Sequence, residues 1–249
     1  TLSSYSQILK IDKSHLSTDS SKFVTGVFDA SFNVNNRGST PDQQNVYVGI
    51  NQNADVVYVG KEMATILIGG INYFKIGDGP LVYNGSVHLR EVFKRKSTLS
   101  PEIYGQAQFD ESRNMELRKL LGGGLRWNIL KGKNSLHLGL GTFREHERWK
   151  GELDIIEKNL WKVNTYLGGD LSLTDAVSFN TIFYFQSGWD EEIGSFRNRI
   201  SGQIEIKTTI SKRVKIKMAS TILVDNRPII PVNRFVYETY FGMEYAFGK

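Results

Sequence analysis

The chain has no cysteine in its 249 residues. That absence removes a disulfide framework, a thiolate metal site and a cysteine nucleophile together. Long apolar runs are missing as well. The longest, ATILIGG, falls far short of the roughly 18–20 residues that a membrane-crossing helix requires. The opening, TLSSYSQILKIDKSHL, lacks the basic and apolar regions of a secretory signal peptide, so an exported form is expected to start after cleavage. No phosphate-cradling glycine loop, zinc pattern or nucleotide motif is present, and neither a cofactor nor a metal is expected.

Charge is unbalanced towards the basic side, at +5 with a pI near 9.2. The basic residues do not gather into one patch interleaved with aromatics, which argues against nucleic acid as a partner. Many sit in short clusters, Lys94-Arg95-Lys96 and Ser211-Lys212-Arg213 among them. These are expected to be solvated turns, with attraction to anionic lipid headgroups as the other reading.

What the sequence has in abundance is period-2 alternation, from about residue 22 to the end. In LGGGLRWNI, Leu121, Leu125, Trp127 and Ile129 oppose Gly122, Gly124, Arg126 and Asn128. In LVYNGSVHLRE, Tyr83, Val87 and Leu89 oppose Asn84, Ser86, His88 and Arg90. Such alternation marks strands with one apolar and one polar face. The pattern predicts about twelve strands, near 22–36, 45–59, 63–76, 81–94, 102–112, 116–129, 135–148, 160–173, 177–187, 198–210, 214–225 and 234–247. Only MATILIGGINYF is ambiguous, because both of its faces are apolar. All 5 prolines fall between these strands or at their edges, where a missing N–H is tolerated. Tight turns (GKE, KGKN, LTDA, SKR) alternate with longer connections (RGSTPDQ, WKGELDIIEKN, SGWDEEIGSF, NRPIIPVN), and KRKSTLSP breaks that rhythm. Residues 1–21 lie outside the pattern and are expected to be a periplasmic segment, disordered or forming one extra strand.

A meander of one-sided strands closes either with its apolar face inward, as in soluble barrels, or outward, as in outer-membrane barrels. Three features favour lipid: an even strand count with alternating loop lengths, a polar face rich in residues that pair in a confined lumen, and aromatics towards strand ends. The expected fold is an all-β, transmembrane, antiparallel up-and-down β-barrel spanning 22–249, with both termini periplasmic. The last strand, YETYFGMEYAFGK, carries a pattern similar to the C-terminal signal by which outer-membrane barrels are recognised for insertion. Its residues here are Tyr240, Gly242, Tyr245 and Phe247, with Gly248 and Lys249 following the final aromatic.

A broader resemblance covers most of the barrel. QFDESRNMELRKLLGGGLRWNI followed by LHLGLGTFREHE resembles the YdiY-like family of Gram-negative outer-membrane barrels. The matching positions are Asp110, Arg118, Gly122, Gly124, Arg126, Gly139, Gly141 and Glu145. The resemblance implies location and fold, and it brings no activity with it.

The lumen face holds the residues of interest. If ESRN turns the chain, antiparallel pairing brings Asp110 near Arg118 and Glu102 near Arg126, while Glu244 faces Lys215 or Lys217 across the last hairpin. Arg90, Glu205 and Glu238 complete the ion-pair candidates. They are read as struts filling a narrow lumen, with a selective passage or solute site as the alternative. Ser86 and His88 share a face two residues apart, as a nucleophile and base could. Their register turns them inward and no orienting acid accompanies them, so they are read as ordinary lumen residues. The acidic loops WDEE and ELD lack fixed ligand spacing and are read as solvated. The expected function is a non-enzymatic barrel with a structural or accessory role in an outer-membrane assembly. A small polar-solute channel is the alternative, and a lipid-active enzyme comes third. Expected partners are outer-membrane lipid and lipopolysaccharide, the barrel-assembly machinery during insertion, and other outer-membrane proteins.

Overall fold

The computed structural model describes residues 23–37, 45–76, 79–132, 134–211 and 214–245. Twelve strands follow one another: β1 Phe23–Arg37, β2 Asn45–Val59, β3 Met63–Ile76, β4 Gly79–Phe93, β5 Leu99–Asp110, β6 Met115–Leu130, β7 Ser135–Lys150, β8 Ile155–Ser172, β9 Val177–Asp190, β10 Ser195–Thr209, β11 Val214–Asp225 and β12 Phe235–Tyr245. Each pairs with the next in one antiparallel sheet, ordered β1 to β12 without a crossover. The only other regular element among the described residues is a 3-10 turn, Glu111–Arg113.

The sheet curls so that its polar face is inside. Arg90 on β4 donates to the Tyr184 hydroxyl on β9 across 3.4 Å, although these strands stand five places apart. In a flat sheet they would be separated by about 24 Å. Tyr166 on β8 reaches Glu102 on β5, and Arg118 on β6 reaches Gln186 on β9. Strong curling of the sheet into a barrel brings these side chains together.

The outer face is apolar and uncovered. Leu67, Val87, Leu89, Ile103, Leu121, Leu125, Leu138, Leu140, Val163 and Leu167 are all exposed. Trp161, Trp189 and Phe196 flank this aliphatic band towards one end, and Tyr58, Phe93 and Trp127 towards the other. Trp189 and Phe196 meet edge to face, with ring centroids 5.0 Å apart. The ambiguous β3 resolves in the same way: Ala64, Ile66 and Ile68 point inward while Leu67 points out.

The end carrying residues 60–62, 94–98, 131–132, 173–176 and 210–211 is here called the turn end, and the opposite end the loop end. Two of the expected long connections are largely strand. β8 begins at Ile155 and β10 at Ser195, leaving short turns at 151–154 and 191–194. The stretches IIEKN and SGWD keep strand-forming alternation, and Gly194 supplies the positive φ, +56°, that a tight reversal requires. The expected contrast in loop length is thus smaller than the sequence pattern indicates. Strands of up to 18 residues exceed the roughly 9–11 that cross a bilayer, so their surplus projects beyond the apolar band. Pro80 and Pro101 lie within β4 and β5, each close to a strand start. Pro101 sits just beyond Glu102, where the β4 ladder ends. The expectations for residues 1–21 and for Phe247 lie outside the described residues.

Candidate functional site

Glycines set the lumen's shape. Gly122 on β6 lies beneath Phe143, which is wholly buried, and an added Cβ would overlap the Phe143 Cβ and the Thr142 carbonyl. Gly139 on β7 lies beneath the ring of Tyr166 in the same way. The glycine-rich strands thus leave space for large inward side chains on the neighbouring strand.

Towards the loop end, β6, β7, β8, β10 and β11 build one ionic layer. Arg118 Nε donates to Glu145 Oε1 at 2.5 Å and lies 3.3 Å from Glu147 Oε1. Arg199 donates through Nη1 to Glu147 Oε1 at 2.9 Å and through Nη2 to Asp225 Oδ2 at 2.8 Å. It also reaches Glu145 Oε1 at 3.4 Å. Lys162 forms an ion pair with the other oxygen of Glu145. Glu145 is therefore shared by three cations, and all of these groups are buried.

A second layer lies nearer the turn end. Arg90 stacks between Tyr104 and Tyr166, with its guanidinium carbon 5.4 and 5.0 Å from the two ring centroids. Its Nη1 is 3.6 Å from Glu102 Oε2, and the Tyr166 hydroxyl donates to that carboxylate at 2.8 Å. Arg126 Nε donates to Asn128 Oδ1 at 2.9 Å. Asn128 in turn donates to Ser100 Oγ at 3.0 Å and to the Ser97 carbonyl at 2.9 Å.

The two ends of the lumen differ. At the turn end Val57, Val59, Ala64, Ile66, Ile68 and Val92 form an internal apolar cluster. Beside it Arg95 is buried and donates to the Gly60 carbonyl at 2.8 Å, which corrects the expectation that the whole Lys94–Lys96 cluster is solvated. At the loop end the β11–β12 connection, 226–234, folds over the mouth. Ile230, with Ile229 and Val232, packs on Met115 and Trp149, and Arg113 donates to the Asn233 carbonyl at 3.4 Å.

Between the two layers lies a cavity of about 110 Å³, room for several waters. Its charged lining consists of Arg90, Arg113, Arg118, Arg126 and Arg199, with His88 and His137. Among the described residues no carboxylate contributes to the lining: Glu102, Glu145, Glu147 and Asp225 pair with the guanidiniums.

The expected pairs form differently. Arg118 faces Gln108 across the β5–β6 ladder and Arg126 faces Ser100, so neither meets Asp110 or Glu102. The expected alignment runs two residues out of the observed ladder, in which Asp110 stands opposite Met115 beside the 3-10 turn. Asp110 instead accepts from Ser112 Oγ at 2.5 Å. Glu205 lies 3.2 Å from Lys207 and 3.9 Å from Lys217. Lys215 stands opposite Glu244 in the ladder, and Glu238 opposite Thr221. Of the insertion-signal residues, Tyr240 faces Ala219, Gly242 faces Lys217 and Tyr245 faces Val214. Ser86 and His88 both line the cavity, and His88 Nδ1 is 3.1 Å from Gln106 Oε1. Asp190, read from sequence as solvated, is fully buried: it accepts from Arg197 Nε at 2.5 Å and pairs with Lys158 at 2.9 Å. Among the described residues no group of three or more His, Asp or Glu could hold a metal ion.

Sequence reasoning missed Glu147, Lys158, Lys162, Tyr166, Arg199 and Asp225. The signal for Glu147 was present in the alternating Glu145-His146-Glu147. Lys158 was hidden inside a segment read as loop.

No family model matches the chain, and no curated protein matches it. Among solved structures it is similar to the translocator domain of autotransporter NalP from Neisseria meningitidis, at 10% sequence identity and a TM-score of 0.47. That similarity covers 96% of this chain and 93% of that one.

Proposed function

We propose that this chain is an integral outer-membrane β-barrel with a closed lumen, acting as a structural or accessory component of an envelope assembly. The observation that carries the reading is the inverted distribution of polarity. Leucines, isoleucines and valines cover the outside between aromatic belts, while the buried ions face the axis. In water such a surface would drive association, because contiguous apolar area on this scale is rare on soluble monomers. Against hydrocarbon it is the expected face. The two ionic layers, the turn-end apolar cluster and the 226–234 connection support the reading of a closed lumen. β1 starts and β12 finishes at the turn end, which in this reading faces the periplasm.

The YdiY-like motif fits the same picture. Arg118, Gly122, Arg126, Gly139 and Glu145 all serve the lumen network, so the motif reads as packing chemistry rather than catalysis. No enzymatic role is assigned: Ser86 and His88 lie within the lumen, where among the described residues the imidazole meets Gln106 and no acid. Lipid and lipopolysaccharide contact the outer band, and the barrel-assembly machinery reads Tyr240, Gly242, Tyr245 and Phe247.

Two measurements test this. The purified protein should require detergent or lipid to stay monodisperse; a folded, monodisperse sample in plain buffer would overturn the membrane reading. In planar bilayers it should give no steady conductance. Stable open steps that change in Arg126→Gln would replace the closed barrel by a small polar-solute channel.

A further inference from the structure

The outer wall carries a charged patch that the lumen network does not explain. On β6 and β7, towards the loop end, Lys119 and Arg144 are exposed, while their chain neighbours Arg118, Leu120, Phe143 and Glu145 are buried on the inner face. Lys119 stands opposite His146 in the ladder, and Arg144 lies two residues from His146 on the same face of β7. The two cations are therefore diagonal neighbours. Diagonal pairs of this kind have Cβ atoms about 7–8 Å apart, within reach of long side chains. Both charged heads can converge on one phosphate group.

The protein does not neutralise these charges. Among the described residues neither Lys119 nor Arg144 has a carboxylate within ion-pair distance. Further towards the loop end the balance is different, because Arg148 pairs with Glu116 at 2.9 Å and with Glu157 at 3.8 Å. Arg144 stands opposite Trp161 in the β7–β8 ladder, and its guanidinium carbon lies 5.8 Å from the centre of that ring. Tryptophan marks the level of the membrane–water interface, so the patch sits at headgroup height. Towards the turn end the same strands present Leu125, Leu140, Val163 and Leu167, all exposed. Asn159 and His146, joined at 3.1 Å, add neutral hydrogen-bonding groups beside Lys119. The patch is local. Across β9 and β10 the outward pairs Trp189–Phe196, Ser187–Asn198 and Phe185–Ile200 carry no charge.

We propose that Lys119 and Arg144 clamp a phosphate of an outer-leaflet glycolipid of the lipopolysaccharide class, with its acyl chains lying over the leucines and valine beneath. The proposal rests on the outer-membrane reading, in which the loop end faces outward. A free anion would gain nothing from the apolar floor, whereas a lipid uses the cations and the floor together. Such a site anchors the wall at a fixed depth and leaves the inner face to carry the barrel's specific task.

The test is native mass spectrometry of the full chain in detergent, titrated with diphosphorylated lipid A. Retention of lipid A through desolvation is expected. Combining Lys119→Gln with Arg144→Gln should weaken it about 25-fold, about fivefold for each cation. The charge-keeping pair Lys119→Arg with Arg144→Lys should hold most of the lipid, and Arg148→Gln should stay within about twofold of the native protein. A barrel that needs detergent yet retains no lipid A, or retains it equally in the double Gln variant, overturns the site and leaves the membrane reading intact. An equal loss in Arg148→Gln does the same. Displacement by inorganic phosphate would mark a free-ion site, and displacement by equimolar phosphatidylglycerol a site for any anionic lipid; either overturns the assignment. A protein that stays monodisperse without detergent removes the membrane reading and the site together.

Discussion

Glu145→Gln is the substitution that interrogates the lumen most directly. The carboxylate is shared by Arg118, Arg199 and Lys162, but its loss does not strand all three equally. Arg118 keeps Glu147 at 3.3 Å, and Arg199 keeps Glu147 at 2.9 Å and Asp225 at 2.8 Å. Lys162 has Glu145 as its only ion-pair partner among the described residues, and its side chain is 2% exposed. One buried ammonium is therefore left uncompensated. Breaking a buried pair in this manner costs about 3–5 kcal/mol, and the neutral amide's remaining hydrogen bonds favour the lower end. The exposed pair Arg148–Glu116, at 2.9 Å with side chains 42% and 40% exposed, is the control. Glu116→Gln should cost about 0–1 kcal/mol. Urea unfolding in lipid vesicles, followed by tryptophan fluorescence, measures both. Lys162→Met in the Glu145→Gln background should recover about 2 kcal/mol as a coupling energy. If Glu145→Gln matches Glu116→Gln, or if the double variant shows no coupling, the ion-paired lumen is not what holds the barrel closed.

Leu121→Arg places a charge on the outer band and should cost about 2–4 kcal/mol in a bilayer, against about 0–1 for Leu130→Arg at the strand end; equal costs would contradict the lipid-facing register. Gly122→Ala should lose about 1–3 kcal/mol by overpacking against Phe143, and trimming that ring in Gly122→Ala/Phe143→Leu should restore part of it; a neutral Gly122→Ala would refute the close approach. Ile230→Ser removes an apolar anchor worth about 1.5–3 kcal/mol. It should expose 226–234 to protease while the barrel itself resists, and unchanged cleavage would show that the cover is held elsewhere.

The strands were legible because one-sided burial writes a period of two along the chain. β2, β3 and β11 run 45–59, 63–76 and 214–225, the spans the alternation predicts. The direction in which the apolar face points followed from the chemistry of the polar face, which reads as paired ions and not as a hydrated surface. Partners were less legible. Arg118 and Glu102 were identified as lumen residues, but their mates were misassigned, because the expected alignment runs two residues out of the observed β5–β6 ladder, in which Gln108 faces Arg118 and Ser100 faces Arg126. Contacts between strands five apart, such as Arg90 with Tyr184, depend on curvature, which no local pattern encodes. Arg95 and Asp190 were misread for a related reason. A place near a turn does not say whether a long side chain folds back inside or whether a carboxylate is covered by its neighbours.

The same contacts explain why the lumen, not the wall, decides what this barrel does. Ladder hydrogen bonds fix each strand to its neighbours and would be satisfied over a range of curvatures. The spokes Arg90–Tyr184, Glu102–Tyr166, Arg118–Gln186 and Arg199–Glu145 each span at least three strand positions, so they select one curvature. All of these spokes except Glu102–Tyr166 have at least one end lining the cavity. The outer leucines, by contrast, interact with a fluid solvent and can exchange for other apolar residues at little cost. A function specific to this chain has to be written on the inner face, where a change at one residue alters several cross-lumen partners at once.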